Sequence, residues 1–347
     1  MSRDEARAAF LQSQGIAPEA ARPLAGDASN RRYLRIAASE QILMDAPPDR
    51  GEDVRPFVAV TNWLRDHRFS APRIDAQDLE QGFLLLEDLG DELYRDVCAE
   101  APDSEKALYG EAIDLLAEMT RLPLPERLPF GEEGWPLAPY GAPDLHSEAR
   151  LATDWYRPGV LGAETPPDLA AEFEALLLEA IAPVASTRHV VVLRDYHAEN
   201  LLWLPERHGT ARVGLLDYQD ALAGHPAYDL VSLLEDARRD TSEALQEVMI
   251  ARFIARTGLA SDPFLQAYAT LGAQRNLKII GIFARLAVRD GKARYPDLIP
   301  RVWRHLQRDL AHPALAELRD WVARHLPEPD ADALARLRQA AGLEAAE

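Results

Sequence analysis

The stretch from residue 189 to residue 220 constrains this chain most, because three short apolar runs alternate there with polar loops. Apolar, β-branched runs of this length are typical of buried strands, and the three runs are 189–193, 201–204 and 213–216. The polar, glycine-containing segment PERHGTAR joins the second run to the third and predicts a hairpin. The first loop places Asp195 and Asn200 five residues apart, and the last strand leads into Asp217 and Asp220.

This combination of residue types suits phosphoryl transfer. One carboxylate must orient and deprotonate the attacking hydroxyl, and oxygen ligands must hold Mg²⁺ against the nucleotide phosphates. The spacing therefore predicts Asp195 as the catalytic base and Asn200 and Asp217 as magnesium ligands. Each residue alone is common in loops and helix caps, but the three together, flanked by predicted strands, favour the kinase pattern.

The motifs around these residues resemble a family of small-molecule kinases. Arg194-Asp195 stands where kinases carry His-Arg-Asp or His-Gly-Asp, and an Asp-x-x-Asp beginning at Asp217 stands where protein kinases carry Asp-Phe-Gly. This pattern resembles the aminoglycoside phosphotransferase and choline kinase branch. The resemblance implies an α+β, protein-kinase-like bilobal fold with a β-rich N-lobe and a mainly helical C-lobe, and ATP and Mg²⁺ as cofactors. The expected boundaries are an N-lobe at 1–86, a hinge at 87–90, a C-lobe at 91–325 and a C-terminal helical tail at 326–347.

Four longer segments resemble a more specific group within that branch. GDASNRRYLR, ILMDAPP, LRDYHAENLLWL and GLLDYQDALAGHPAYDL, within a resemblance over about residues 20–310, are similar to bacterial anomeric kinases of N-acetylmuramate and N-acetylglucosamine. This implies ATP-dependent transfer to the C1 hydroxyl in cell-wall sugar recycling, with Asp195, His197 and Asp220 at the substrate. Two alternatives stay open: an aminoglycoside- or choline-type kinase, and a nucleotide-binding pseudokinase that acts through a partner protein.

The N-terminal part is predicted to form the nucleotide-covering lobe. A helix at 3–14 precedes a β-meander at 22–46, a helix at 54–67 and an apolar strand at 83–86. The loop GDASN lacks the Walker A pattern, so an ordinary hairpin turn and a phosphate-binding loop are about equally supported there. In the kinase plan, the residues expected to bind nucleotide are Gly26, Ser29, Asn30, Arg32 and Arg35, with Glu87 and Leu89 in the hinge.

The sequence departs from the kinase pattern at the usual ion pair. Kinases place a lysine on the third strand, paired with a glutamate on the following helix. Here Met44 holds the strand position, no lysine precedes Lys106, and the 54–67 helix contains no glutamate. Either the protein is a pseudokinase or an arginine replaces the lysine. Candidates are Arg31, Arg32 and Arg35, and the intact Asp195, Asn200 and Asp217 favour an active enzyme.

A basic pair interrupts the apolar face of the long helix predicted at 264–290. Arg275 and Lys278 are three residues apart and therefore project on similar sides of the helix. A solvated helix edge explains them about as well as a role in binding. If they bind substrate, the pair would offset acidic repulsion of the lactyl carboxylate of N-acetylmuramate.

Composition indicates a water-soluble globular protein. The 347 residues are 47% hydrophobic and 27% charged, and no apolar run approaches the ~20 residues that span a bilayer. The net charge of −19 argues against nucleic acid as a partner. The single Cys98 excludes a disulfide framework, and the first residues lack the apolar core of a signal peptide. We therefore expect a cytoplasmic monomer that binds ATP and a small sugar and no membrane.

Overall fold

The computed structural model describes residues 2–24, 30–186 and 189–340. They form an α+β arrangement in which a β-sheet precedes a mainly helical remainder. The strands are β1 (Arg22–Pro23), β2 (Arg32–Ile36), β3 (Gln41–Asp45), β4 (Ile74–Asp78), β5 (Phe83–Glu87), β6 (Arg127–Leu128), β7 (Trp135–Pro136), β8 (Val190–Val192), β9 (Leu201–Trp203), β10 (Val213–Leu215) and β11 (Leu222–Gly224). The helices are α1 (Arg3–Ser13), α2 (Arg55–Asp66), α3 (Tyr94–Glu100), α4 (Glu105–Arg121), α5 (Ala142–Ala149), α6 (Arg157–Leu161), α7 (Pro167–Ala185), α8 (Ala227–Leu234), α9 (Glu243–Thr257), α10 (Ser261–Val288), α11 (Ile299–Leu310), α12 (Ala316–His325) and α13 (Ala331–Ala340).

The N-terminal sheet has five antiparallel strands in the order β1-β2-β3-β5-β4. The predicted helix before it, the meander and the apolar strand at 83–86 are confirmed as α1, β1–β3 and β5. The sequence did not predict β4. Its segment IDAQD carries two acids and alternates between half-buried and exposed positions, so it lacks the apolar signature of a strand.

One face of this sheet packs against α1. Phe10 and Leu11 of the helix form a buried cluster with Leu34 and Ile36 of β2 and Leu43 of β3. Each such side chain contributes roughly 1.5–3 kcal/mol when it is fully buried. The cluster fixes the orientation of β2, because alternate residues of a strand point to opposite faces.

The residues of β2 that do not join this cluster point to the opposite face. Leu34 and Ile36 are buried under α1, so Tyr33 and Arg35 lie on the other side of the sheet. Sequence reasoning left open which face carries which residues. The packing of α1 decides it.

The chain divides into two compact units. Unit 1 comprises Met1–Leu115, Pro125–Leu137 and Leu193–Ala221, and unit 2 comprises Leu116–Leu124, Ala138–Val192 and Leu222–Glu347. The expected boundaries of the N-lobe, the hinge, the C-lobe and the tail remain predictions. Among the described residues, no helix is both long and apolar enough to cross a membrane.

Unit 2 is built around α10, the long helix that the sequence predicted at 264–290. This 28-residue helix packs against α5, α7, α8 and α11. Glycine is required where α10 approaches its neighbours most closely, because a Cβ on Gly281 would lie 2.2 Å from the backbone carbon of Leu151. The antiparallel pair β8–β11 also belongs to this unit, with Val192 opposite Leu222.

A buried polar network joins α10 to α11. The Asn276 side chain donates to Glu235 at 2.7 Å and to Asp309 at 2.9 Å, and Arg308 lies 3.1 Å from Glu235. Glu235 and Asp309 are almost completely buried. Burial, followed by the neighbouring Glu235 carboxylate, raises the pKa of Asp309 well above its usual range.

The raised pKa of Asp309 predicts that stability falls as the pH rises. Below the ordinary aspartate pKa of about 4 the folded and unfolded chains both bind this proton, and the stabilisation is complete. As the pH rises through the raised pKa, the folded carboxyl must ionise inside the core, and the stabilisation is lost. Asp309→Asn keeps the shape and a hydrogen-bond donor without titrating. In urea titrations from pH 5 to pH 8, the variant should lose less unfolding free energy than the wild type.

The exposed Asp332 of α13 offers a matched control for this experiment. Asp332→Asn should leave the pH dependence of unfolding unchanged. Parallel curves for Asp309→Asn and the wild type would show that Asp309 does not hold its proton in the folded protein.

Candidate functional site

A short antiparallel hairpin brings the predicted metal ligands together in unit 1. In β9 and β10, Leu201 pairs with Leu215, so the residues just outside the ladder, Asn200 and Leu216, are neighbours. The Leu216 N–H donates to the Asn200 carbonyl at 3.0 Å. Asp217 follows directly, and its Oδ2 lies 3.5 Å from the Asn200 side-chain nitrogen. Residues 17 positions apart in sequence thus meet because of the hairpin register.

The loop that carries the predicted base is held by hydrogen bonds within itself. The Asn200 side chain donates to the Asp195 carbonyl at 3.0 Å, and the Asn200 N–H donates to the His197 carbonyl at 2.8 Å. His197 is buried, with its Nε2 3.3 Å from the Asn200 side-chain nitrogen. The predicted base, the histidine and the asparagine therefore form one local turn.

Arg194, next to the predicted base, and Asp217, a predicted metal ligand, have left-handed backbone. Arg194 has φ +70° and Asp217 has φ +55°. For a residue with a Cβ, this conformation costs roughly 1–2 kcal/mol. Strained positions of this kind concentrate at functional sites, where the surrounding structure holds them.

Hydrogen bonds orient the Asp217 carboxylate. The Gln219 side chain donates to its Oδ1 at 2.9 Å, while Oδ2 faces Asn200. The Ala221 N–H donates to the Tyr218 carbonyl at 3.1 Å and closes the loop. Asp220, the second acid of the motif, is exposed.

The arrangement suits a magnesium ion held together with phosphate. Asn200 and Asp217 are half-buried and supply amide and carboxylate oxygens, which Mg²⁺ prefers. Mg²⁺ in nucleotide sites commonly takes one or two protein ligands and fills its octahedron with phosphate oxygens and water. The donor set therefore fits the predicted cofactor, with Asn200 and Asp217 as the residues that would hold it.

The predicted nucleotide residues near the sheet fall into three groups. Gly26 and Ser29 lie outside the described residues. The Asn30 N–H donates to Glu52 at 3.2 Å, and Arg32 is exposed. Arg35 is engaged by two carboxylates, with its Nε 2.6 Å from an oxygen of Asp88 and its Nη2 2.7 Å from an oxygen of Asp91.

The predicted hinge follows β5. The Glu87 carboxylate is occupied within the protein, since it accepts from Arg207 at 2.8 Å and from the Arg73 N–H at 3.1 Å. Leu89 is half-buried, and its backbone N–H has no hydrogen-bond partner among the described residues. A backbone donor of this kind suits the predicted contact with adenine, while the Glu87 side chain is structural.

The predicted basic pair of α10 lies in unit 2. The Arg275 guanidinium is 7% exposed and donates to the Ser232 hydroxyl at 2.9 Å. The Lys278 ammonium donates to Glu148 at 2.8 Å and to the Tyr228 hydroxyl at 3.4 Å. Tyr140 also donates its hydroxyl to Glu148.

Sequence reasoning missed the partners of these cations. Glu148 and Lys278 are 130 positions apart, and no periodicity links them.

Glu52 was missed for a different reason, because it lies outside the 54–67 helix in which a glutamate was sought. It forms an ion pair with Arg31 at 2.7 Å. A search for acids in the loop before the helix could have found Glu52, whereas nothing local marks Glu148.

Helix α2 anchors the loop after Asp217 through Tyr218. The Tyr218 ring stacks on Phe57 with centroids 5.0 Å apart, and its hydroxyl lies 2.7 Å from the Thr61 hydroxyl. Thr61 donates to the Phe57 carbonyl at 2.7 Å, so Tyr218 is the donor in its bond with Thr61. Burial raises the pKa of Tyr218, which keeps this hydroxyl protonated.

Comparisons with known proteins show which phosphotransferases this chain is similar to. A family profile described as "Phosphotransferase enzyme family" matches residues 20–268. The chain is 40% identical to an N-acetylmuramate/N-acetylglucosamine kinase of Caulobacter vibrioides, over 94% of this chain and 97% of that protein. It is 37% identical to the protein of the same name from Pseudomonas aeruginosa, over 87% of each. The structure is similar to a choline/ethanolamine kinase family protein from Mesorhizobium loti, with a TM-score of 0.59 over 98% of this chain and 100% of that chain. At 12% identity, this last likeness concerns the fold alone.

The Tyr218 anchor predicts unequal effects of two conservative substitutions. Tyr218→Phe removes one buried hydrogen bond and leaves Thr61 still donating to Phe57, at a cost of ~0.5–1.5 kcal/mol. Thr61→Val leaves the buried Tyr218 hydroxyl without its acceptor, at a cost of ~1–3 kcal/mol. Urea unfolding should rank Thr61→Val as the more destabilised variant. The double variant should be less destabilised than the sum of the two, and strict additivity would show that the hydroxyls do not interact.

Proposed function

This chain belongs to the phosphotransferase enzyme family, and on that premise we propose that it transfers the γ-phosphoryl group of ATP to the anomeric C1 hydroxyl of N-acetylmuramate, N-acetylglucosamine or both. Family membership confirms the resemblance that the motifs predicted, and with it the α+β, protein-kinase-like fold. The reaction would serve cell-wall sugar recycling in the cytoplasm.

The observation that carries this proposal is the convergence of Asp195, Asn200 and Asp217 in one hydrogen-bonded cluster. In the proposed reaction, Asp195 accepts the proton of the C1 hydroxyl while the C1 oxygen forms a bond to the γ-phosphorus of ATP. The bond from that phosphorus to the β,γ-bridging oxygen breaks, and ADP leaves. Asn200 and Asp217 would hold Mg²⁺, which neutralises phosphate charge when bound.

The sugar as substrate class is supported by the relatives. Both curated relatives described above are named as N-acetylmuramate/N-acetylglucosamine kinases, and the alignments span most of each chain. A hemiacetal hydroxyl is also more acidic than an ordinary alcohol, because the ring oxygen withdraws electron density. A carboxylate base such as Asp195 is therefore well matched to C1.

Two cations on α10 are proposed to bind the carboxylate of N-acetylmuramate. An ammonium has three donors, and Glu148 and Tyr228 engage two of those of Lys278. The Nη1 of Arg275 has no hydrogen-bond partner among the described residues. Each cation therefore keeps a donor for a ligand, although Arg275 is the more deeply buried of the two.

The function is tested by incubating the protein with ATP, Mg²⁺ and a panel of sugars, and by following phosphorylated products by ³¹P NMR. The panel contains N-acetylmuramate, N-acetylglucosamine, an aminoglycoside and choline. We expect sugar 1-phosphates, and we expect Asp195→Asn to lose ~10²–10⁴-fold in turnover while it still binds ATP.

Several results would contradict the proposal. Preferred turnover of the aminoglycoside or of choline would assign the chain to another branch of its family. ATP binding without turnover of any substrate in the panel would favour the pseudokinase. Full activity of Asp195→Asn would remove the base assignment, and phosphate on a hydroxyl other than C1 would remove the anomeric assignment.

The basic pair predicts a difference between the two sugars. A charge-assisted hydrogen bond contributes ~1.5–3 kcal/mol, which is about tenfold to a hundredfold in affinity. Arg275→Ala and Lys278→Ala should each raise the KM for N-acetylmuramate by about that factor, and should raise the KM for the uncharged N-acetylglucosamine much less. The exposed Lys292 provides a control, since Lys292→Ala should change neither KM. Equal effects on both sugars would mean that the residue is structural or touches a group common to both.

A further inference from the structure

Two carboxylates from the segment after β5 enclose the guanidinium of Arg35. Its Nη1 and Nη2 donate to the two oxygens of Asp91 at 2.7 Å each, as a parallel fork. Its Nε lies 2.6 Å from one oxygen of Asp88, and its Nη2 also donates to the other oxygen at 3.1 Å. Arg35 therefore ties β2 to residues that lie 53 and 56 positions later in the chain.

The register of the sheet brings Arg35 to this segment. Arg35 pairs with Ile42 of β3, and Ile42 pairs with Leu86 of β5, so the three side chains share one face. The Asp88 N–H donates to the Glu40 carbonyl at 2.9 Å, which continues the β3–β5 ladder by one step. Asp88 follows Leu86 by two residues and thus lies on the same face as Arg35.

The Asp88 carboxylate also fixes the backbone that follows it. Its Oδ1 accepts from the Gly90 N–H at 2.9 Å, and the same oxygen accepts from Arg35. Gly90 has φ +86°, a conformation that glycine adopts without strain. Leu89, whose backbone N–H suits the predicted contact with adenine, lies between these two residues. Arg35 therefore holds the backbone on both sides of Leu89, through Asp88 and Asp91.

Burial decides which of the two carboxylates contributes more. The Asp88 side chain is 14% exposed and that of Arg35 is 25% exposed, whereas the Asp91 side chain is 78% exposed. Solvent screens an exposed ion pair, so the fork with Asp91 contributes little by itself. The partly buried contact with Asp88 is therefore the main link between Arg35 and the 88–91 segment.

The occupied donors of Arg35 favour a positioning role over direct contact with phosphate. Sequence reasoning placed Arg35 among the nucleotide-binding residues because a guanidinium can bind phosphate through two parallel hydrogen bonds. Here Asp91 already fills that fork, and the Nε side of the guanidinium faces Asp88. A phosphate would have to displace both carboxylates and would then lie beside two negative charges.

We propose that Arg35 is a positioning residue for adenine recognition, which acts by holding the 88–91 segment through Asp88 and Asp91. The inference rests on the proposed use of ATP and on the predicted hinge. Without the guanidinium, Asp88 and Asp91 would repel each other, and the segment would leave the conformation that fixes the Leu89 N–H. Affinity would fall with it, because the apparent affinity scales with the fraction of molecules in the binding-competent conformation.

The test measures the binding of ATP, adenosine and inorganic tripolyphosphate with Mg²⁺, by displacement of a fluorescent ATP analogue. Arg35→Gln should weaken ATP and adenosine by the same factor, about tenfold if the released segment holds its bound conformation a tenth of the time. Tripolyphosphate has no base and should bind as it does to the wild type. Arg35→Lys should recover only part of the affinity, because lysine keeps the charge but cannot form the planar fork.

A matched control and steady-state kinetics separate positioning from general damage. Arg73 is an exposed arginine of the same compact unit, and its Nε and Nη2 donate to Asp75. Arg73→Gln should therefore bind all three ligands like the wild type. Arg35→Gln should raise the KM for ATP while kcat and the KM for the sugar change little, whereas a misfolded protein would change all three.

A double-mutant cycle tests whether Arg35 acts through Asp88. Asp88→Asn removes the charge but keeps an oxygen that can accept from the Gly90 N–H, so it isolates the link to Arg35. Because each single variant breaks the same link, the double variant should bind ATP about as weakly as Arg35→Gln alone. Losses that multiply would show that the two residues act independently.

Other outcomes would overturn the inference. Wild-type affinity of Arg35→Gln for ATP and adenosine, or a loss of tripolyphosphate binding with adenosine spared, would remove the positioning role and leave the kinase proposal intact. If Arg35→Gln does not fold, Asp88→Asn decides the question, and wild-type affinity of that variant for ATP and adenosine would have the same meaning. A wild-type protein that binds no ATP would overturn the inference and the proposed function together.

Discussion

One backbone hydrogen bond, from the Leu216 N–H to the Asn200 carbonyl, brings the two predicted metal ligands, Asn200 and Asp217, close together. It extends a hairpin whose strands have three residues each. The Leu215 N–H, which donates to the Ser70 carbonyl, and the Trp203 N–H, which donates to the Glu92 carbonyl, also hold the two strands. A shift by one residue would send Asn200 and Asp217 to opposite faces. The left-handed backbone at Asp217 directly follows this bond, and a strained residue persists only where its surroundings hold it. The Tyr218 anchor on α2 then fixes the loop from its other side.

Charge is the second constraint on the site. A chain with a net charge of −19 repels phosphates at long range, so phosphate binding requires local cations. The face of β2 that α1 leaves uncovered carries Arg35 and, just before the strand, Arg31, while Asp88 and Asp91 neutralise Arg35. Arg35 therefore links β2 to the segment after β5.

The limits of prediction follow from the range of the interactions involved. Apolar runs correctly predicted β5 and the β9–β10 hairpin, and motif spacing selected Asp195, Asn200 and Asp217, which lie together in the structure, because these signals are local. Strand β4 was not predicted because its sequence is acidic and its residues are only half-buried or exposed. Strand β11 was not predicted because three residues show almost no periodicity. The partner Glu148 could not be predicted, because it meets Lys278 only through tertiary packing. Glu52 lies in the loop before α2, where a search for acids could have found it. The face of the sheet on which each β2 residue lies could not be predicted either, because the packing of α1 determines which face is buried.

The joint absence of the strand-three lysine and the helix glutamate has a physical rationale. Removing one partner of a buried ion pair leaves an uncompensated charge and typically costs ~3–5 kcal/mol. A chain that loses the lysine is therefore under pressure to lose the glutamate as well, and Met44 is buried where a lone cation would be costly.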